Sequence, residues 1–318
     1  MPADERPRNA GPDPELGRVA HRAGHEGGGD GHTAAAAKCV LLVGDWAHRD
    51  FGEAVRWLQR HTHLVLAESV PAGLKALRDD SESNQDIAPG RPRLVPDVIV
   101  VVQSRPGQIH PQQIEQLHAA SPLARLVVLA GSWCEGELRS GRPASGVIRV
   151  LWHQWQPQLI PFLQPGTQPV PNAWQMPRTA SLDERLAATV GSCWPRREGL
   201  IAIHTDCFES FSALSEACCA GGYATVWYLA EGSVAARGVI AAVADGVGCD
   251  ADGVRLLQQI VRCHRPAPVI ALLDFVRRQD FDLAKSAGVS AVVAKPLLVH
   301  DLLWHLDHAL AGPLDRDC

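Results

Sequence analysis

The chain has 318 residues, 46% of them apolar, and thirty basic against thirty-five acidic side chains leave a formal charge of −5. That is enough apolar material for two ordinary cores, and it is not the basic balance of a surface that tracks nucleic-acid phosphates. The nine cysteines show no CxxC spacing and include the adjacent pair Cys218-Cys219, the pattern of reduced thiols and not of a disulfide frame. The N-terminus lacks the apolar core of a signal peptide, and no apolar run is long enough to cross a bilayer. A soluble cytoplasmic protein is expected, with no direct nucleic-acid or membrane partner.

In chain order, residues 1–37 are rich in Gly, Pro, Ala, His and charge and cannot bury enough surface to offset the entropy of ordering; a disordered tail is expected. Residues 38–163 then alternate short β-branched runs with helical periodicity. The pattern predicts strands at 39–43, 63–67, 98–102, 126–130 and 147–151, and helices at 50–59, 70–77 and 111–119. A polar, proline-containing insertion from Asp79 to Pro96 reads as an exposed loop. Pro157 and Pro161 leave room for only a short last helix, and the tryptophans Trp152, Trp155, Trp174 and Trp194 are placed to cover what a longer one would. Residues 164–196 carry five prolines and read as a semi-extended linker.

From residue 197 to 318 the same order returns. Strands are predicted at 200–203, 224–229, 239–244, 269–273 and 290–294. Helices are predicted at 209–220, 253–264, 277–287 and 298–310, with a short segment at 231–236. Segments of the two halves can be laid side by side, Leu66-Ala67-Glu68-Ser69 against Leu229-Ala230-Glu231-Gly232, which points to an internal duplication. The fold class is α/β: two doubly wound domains with parallel five-stranded sheets. In such sheets the strand ends converge on one crevice, so Asp245, after the apolar run 239–244, and Lys295, after 290–294, are candidates for one site.

The second half resembles the receiver domain of bacterial response regulators over residues 199–311. The resemblance rests on Asp245 followed by Asp252-Gly253, on Gly222-Tyr223 before the second strand, and on Lys295-Pro296 after the fifth. It implies a flavodoxin-like strand order, Asp245 as phosphoacceptor from a histidine kinase, Lys295 as its charge partner, and a magnesium ion held by Asp245, the Val247 carbonyl and a carboxylate recruited from Asp206. Several positions depart from the family. His204-Thr205 replace the acidic pair after the first strand, Leu273 stands where a threonine or serine is expected, and Val292 stands where an aromatic residue is expected. Bound magnesium is therefore expected to be weak, and no other cofactor is implied. In the first half Gly44-Asp45 occupy the acidic-pair position, Gln103 the acceptor position, and Trp152-His153 fall near the lysine, so that half resembles a receiver in architecture alone.

The stretch Gly246-Val247-Gly248-Cys249-Asp250-Ala251 also matches a dinucleotide-binding loop, but Asp245, Asp250 and Asp252 crowd it with negative charge. Only Ala311 to Cys318 follow the last helix, so output is expected through partners: a histidine kinase, another response regulator, or a second copy of the chain. The reading favoured is a non-enzymatic pair of pseudo-receiver domains signalling by protein–protein contact. Phosphorylation on Asp245 is the first alternative and a dinucleotide-dependent enzyme the second.

Overall fold

The protein is described here by a computed structural model covering residues 37–82, 94–137, 146–164, 174–190, 197–229 and 237–312. Runs of apolar, largely β-branched residues form strands buried on both faces, as a parallel sheet sandwiched by helices requires; all six residues of Val98–Gln103 are buried. The first copy contains β1 (Cys39–Gly44), β2 (His63–Ala67), β3 (Val98–Gln103), β4 (Arg125–Ala130) and β5 (Ile148–Leu151), hydrogen-bonded in the order β2-β1-β3-β4-β5. The second contains β6 (Leu200–His204), β7 (Ala224–Tyr228), β8 (Val239–Ala244), β9 (Val269–Asp274) and β10 (Ala291–Lys295), in the order β10-β9-β8-β6-β7. Every pairing is parallel. Numbered within each copy, both sheets run 2-1-3-4-5, the flavodoxin-like order.

The helices are α1 (Gly52–His61), α2 (Val70–Glu82), α3 (Pro111–Ala120), α4 (Trp155–Leu163), α5 (Leu182–Val190), α6 (Phe208–Ala220), α7 (Ala251–His264), α8 (Arg278–Ser286) and α9 (Val299–Ala311). Strand alternation divides the second copy's core. Ile201, Ile203, Ala241, Val243, Ile270 and Leu272 pack with Leu214 of α6 and with Leu302, Leu303 and Leu306 of α9. On the other face Ala202, Ala242, Ala271 and Ala294 pack with Leu257 and Ile260 of α7 and Ala284 of α8.

Two expectations change. Segment 164–196 is not simply extended, because it holds α5. Ser181 caps that helix: its hydroxyl accepts from the Glu184 N–H at 3.1 Å, while the Glu184 carboxylate accepts from the Ser181 N–H at 2.7 Å. Helix α2 runs on to Glu82, into the segment 79–96 expected as a loop. Residues 1–36, 83–93, Trp194 and the segment 231–236 lie outside the described residues. Trp174 is buried and stacks on Phe162 of α4, ring centroids 4.4 Å apart, covering the short last helix of the first copy.

The two copies share a core. One buried cluster takes in Trp57, Trp152, Trp155 and Leu159 from the first and Leu257, Leu273, Val292 and Trp304 from the second. Polar contacts cross the same joint. Gln158 of α4 donates to the Asp301 carboxylate of α9 at 2.7 Å, and the His300 ring donates to the Pro157 carbonyl at 2.9 Å. The Arg278 guanidinium lies 5.4 and 5.5 Å from the Trp152 and Phe281 ring centres, within cation–π range.

Candidate functional site at the strand ends of the second copy

Register brings the site together. His204 pairs with Ala244 across β6 and β8, so the next residues, Thr205 and Asp245, stand side by side at the crevice; the Asp245 N–H donates to the His204 carbonyl at 2.8 Å. Lys295 pairs with Asp274 across β10 and β9. The Asp245 side chain is 2% exposed, and both of its oxygens are engaged: Oδ1 accepts from Lys295 Nζ at 2.7 Å and Oδ2 from the Thr205 hydroxyl at 3.2 Å. The Lys295 ammonium is also 3.0 Å from Asp274 Oδ1. Burial alone would lower the Lys295 pKa, but the hydrogen bonds and charges of Asp245 and Asp274 together outweigh it and hold the ammonium above its ordinary range.

The positions that depart from the receiver pattern are filled structurally. His204 is buried, its ring stacks on Tyr228 at 5.0 Å, and its Nε2 lies 2.7 Å from Nε2 of His264, one imidazole donating to the other. Burial, reinforced by the neighbouring His264, lowers the His204 pKa to about 4, and burial lowers that of His264 too. Leu273 and Val292 are each 3% exposed and belong to the core against α7 and α8, so neither position presents a group to the crevice. Asp206 is exposed on the loop beyond β6, and Val247 is buried beside Asp245.

These residues do not fit a magnesium ion. The cation needs oxygen ligands, with carboxylates free to face it, whereas Asp245 already accepts from an ammonium and a hydroxyl, and imidazole and hydroxyl replace the acidic pair. Among the described residues no group of three or more His, Cys, Asp or Glu side chains is arranged to hold a metal.

The loop that resembles a dinucleotide motif is closed by its own side chains. Asp250 caps α7, its carboxylate accepting from the Gly253 N–H at 2.8 Å, and Asp252 pairs with Arg255 at 2.6 Å. The helix N-terminus, where a pyrophosphate would have to bind, is therefore occupied by a carboxylate. Gly253 is fixed by packing, since a Cβ there would sit 1.9 Å from the Gly248 carbonyl oxygen.

In the first copy the equivalent crevice is a closed network. Gln103, buried at the acceptor position, donates to both oxygens of Glu137 at 3.1 and 3.3 Å, and Glu137 pairs with Arg149 at 2.7 Å. Asp45 accepts from Ser104 at 3.2 Å, and Asp50 accepts from the Ser132 N–H and hydroxyl, both at 2.9 Å. His153 is buried and its pKa falls to about 4 for that reason. The same strand order in both sheets, with aspartate and lysine meeting at the strand ends of the second, decides the architecture. The chain carries two flavodoxin-like α/β folds in tandem.

Solved structures similar to these copies include a response regulator receiver protein from Pseudoalteromonas atlantica, 17% identical with a TM-score of 0.32, covering 36% of this chain and 98% of its own. A protein of Burkholderia thailandensis E264 assigned to pilus assembly shows the same coverage and identity with a TM-score of 0.33. A protein described as a two-component response regulator with a GGDEF domain aligns over 86% of this chain and 98% of its own, at 12% identity and a TM-score of 0.32. No family model and no curated protein matches the chain.

Sequence reasoning placed Asp245 and Lys295 in one crevice and missed Asp274 as the second partner of the lysine. It also missed His264, whose distance along the chain from His204 hides their pairing. The signal available for Asp274 was its position directly after the predicted strand 269–273, matching that of Lys295 directly after the predicted strand 290–294. No helix among the described residues is long and apolar enough to cross a membrane.

Proposed function

We propose that the chain is a signalling protein whose receiver-type copies act by protein–protein contact without phosphoryl transfer, a pseudo-receiver pair with no enzymatic activity of its own. One observation carries this reading: the Asp245 carboxylate is buried with each oxygen already engaged, by Lys295 and by Thr205. Phosphoryl transfer to a carboxylate rests on positioning and on charge neutralisation around a metal. Here the neutralising cation is Lys295, and the metal-binding acids are replaced. Gln103 offers an amide where the first copy would need an acceptor, and an amide is no phosphoacceptor. The partners proposed are proteins of a two-component pathway, a histidine kinase or another response regulator, met in the cytoplasm; self-association belongs to the same class.

The experiment is labelling by acetyl phosphate in magnesium, with beryllofluoride as a second probe, on the full chain and on Asp245→Asn. Little or no labelling is expected, with partner binding equal in the two proteins. Efficient labelling lost in Asp245→Asn, with altered partner binding, would instead establish Asp245 as a working phosphoacceptor. That second reading is favoured by the 2.7 Å contact of Lys295 with Asp245, which places a cation where phosphoryl charge would develop.

A further inference from the structure

Three arginines meet at a pocket of about 270 Å³ in the first copy, at the end of the sheet where β4 and β5 begin. Arg125 is the first residue of β4, Arg178 belongs to the turn before α5, and Arg185 to α5 itself. The pocket is remote from Asp45 and Gln103, which stand where β1 and β3 end.

The guanidinium groups are held in place. Arg178 donates from Nε to the Gly146 carbonyl at 2.9 Å and forks onto the Glu115 carboxylate at 2.7 and 3.3 Å. Gly146 suits that approach: its φ is +69°, and a Cβ there would lie 3.2 Å from a guanidinium nitrogen of Arg178. Arg185 donates to the Pro177 carbonyl at 2.9 Å and the Ala180 carbonyl at 3.4 Å, and Arg125 to the Met176 carbonyl at 3.4 Å. One turn, from Met176 to Ala180, therefore orients two side chains that arrive from different elements.

Carbonyls orient a guanidinium without neutralising it. Among the described residues no Asp or Glu lines the pocket, and Glu115, the acid beside it, is committed to Arg178. Arg125 and Arg185 are each half-buried. The Arg185 pKa is lowered, by burial first and then by the Arg125 charge. Like charges held together against protein cost free energy, and an anion between them recovers it.

We propose that this pocket binds a tetrahedral oxyanion of the phosphate type, as the free ion or as a small monoester. A carboxylate offers two oxygens in one plane, whereas a phosphate offers oxygens in several directions to forks that come from three elements. Leu126, Ile148 and Met176 give the substituent of an ester an apolar wall. The site gives the first copy an input of its own, separate from the Asp245 crevice.

The test is calorimetry and thermal melting of the full chain with inorganic phosphate, phenyl phosphate and acetate at matched ionic strength. Phosphate or its ester is expected to bind one per chain and to raise the melting temperature, with acetate much weaker; tighter binding of phenyl phosphate assigns the site to esters, and equal binding to the free ion. Arg125→Gln should lower phosphate affinity about tenfold or more, the effect of losing a charge-assisted hydrogen bond. In phosphate-free buffer the same variant should melt no lower than the unmodified protein, because the repulsion of Arg185 is relieved. If Arg125→Gln fails to fold, Arg185→Gln carries the same expectation for affinity. Absence of binding by phosphate and phenyl phosphate at millimolar concentration, acetate binding as tightly as phosphate, or phosphate affinity unchanged in the folded variant would each overturn the proposal.

Discussion

Asp274 lies 3.0 Å from the same Lys295 ammonium that holds Asp245 at 2.7 Å, and the two acids differ sharply in setting. Asp245 has 2% of its side chain exposed and Asp274 66%, so removing the lysine strands a buried carboxylate in one case and releases a solvated one in the other.

Lys295→Met should therefore cost about 1–3 kcal/mol, the usual penalty for leaving a buried polar group unsatisfied, toward the lower end because the lysine itself is partly in water. Asp274→Asn should cost less than about 1 kcal/mol, as for exposed ion pairs. Urea unfolding at neutral pH measures both; equal costs would show that Asp274 matters as much as Asp245. The Lys295 pKa is raised, so the lysine's contribution is complete below its unfolded pKa and is lost only as pH rises through the higher folded value. The tie is thus intact across the neutral range and fails in strong alkali.

The joint between the copies titrates in two opposed senses. His153 and His305 fall to about 4 and 3, in each case through burial first. Below the ordinary histidine range the unfolded chain takes up protons that the folded chain refuses, so stability should fall as pH drops from about 6.5 toward 4. Asp301 behaves oppositely: burial raises it to about 7, so its contribution is complete below about 4 and is lost as pH rises through 7. Asp301→Asn removes that loss while keeping an oxygen for the Gln158 donor, and its melting temperature at pH 8 should exceed that of the unmodified protein. An unchanged or lower value at pH 8 would show that Asp301 is not held protonated by the fold.

Gly253→Ala tests the start of α7. A Cβ there would meet the Gly248 carbonyl oxygen at 1.9 Å, and backbone is the partner that cannot move aside cheaply. The expected cost is about 1–3 kcal/mol, as for overpacking elsewhere, read from the denaturant midpoint. A neutral result would mean that the Asp250 loop yields readily.

Much of this was legible in the sequence because strand burial is written in continuous apolar runs. Val98–Gln103 and Val239–Ala244 announced themselves, and the alternation of strand and helix gave the parallel order. Asp245 and Lys295 could be joined because strand ends converge. The helix Leu182–Val190 was readable too: Ser181 and Glu184 are spaced as a capping box, but the surrounding prolines pointed to an extended chain. What could not be read was pairing over distance. His204 meets His264 and Gln158 meets Asp301 only because the sheets and the two copies pack, and nothing in the local sequence of either partner encodes the other.

The shared core also changes what the second copy is as a portable unit. Val292 and Trp304 belong to the cluster that takes in Trp152 and Trp155 of the first copy. A transplant of residues 197–318 into another protein would carry an uncovered apolar face, together with Asp301 deprived of its donor Gln158. For the same reason the copies cannot drift independently: substitutions at Gln158, Trp152 or Phe281 are felt across the joint, and inheritance should favour the two as a single block.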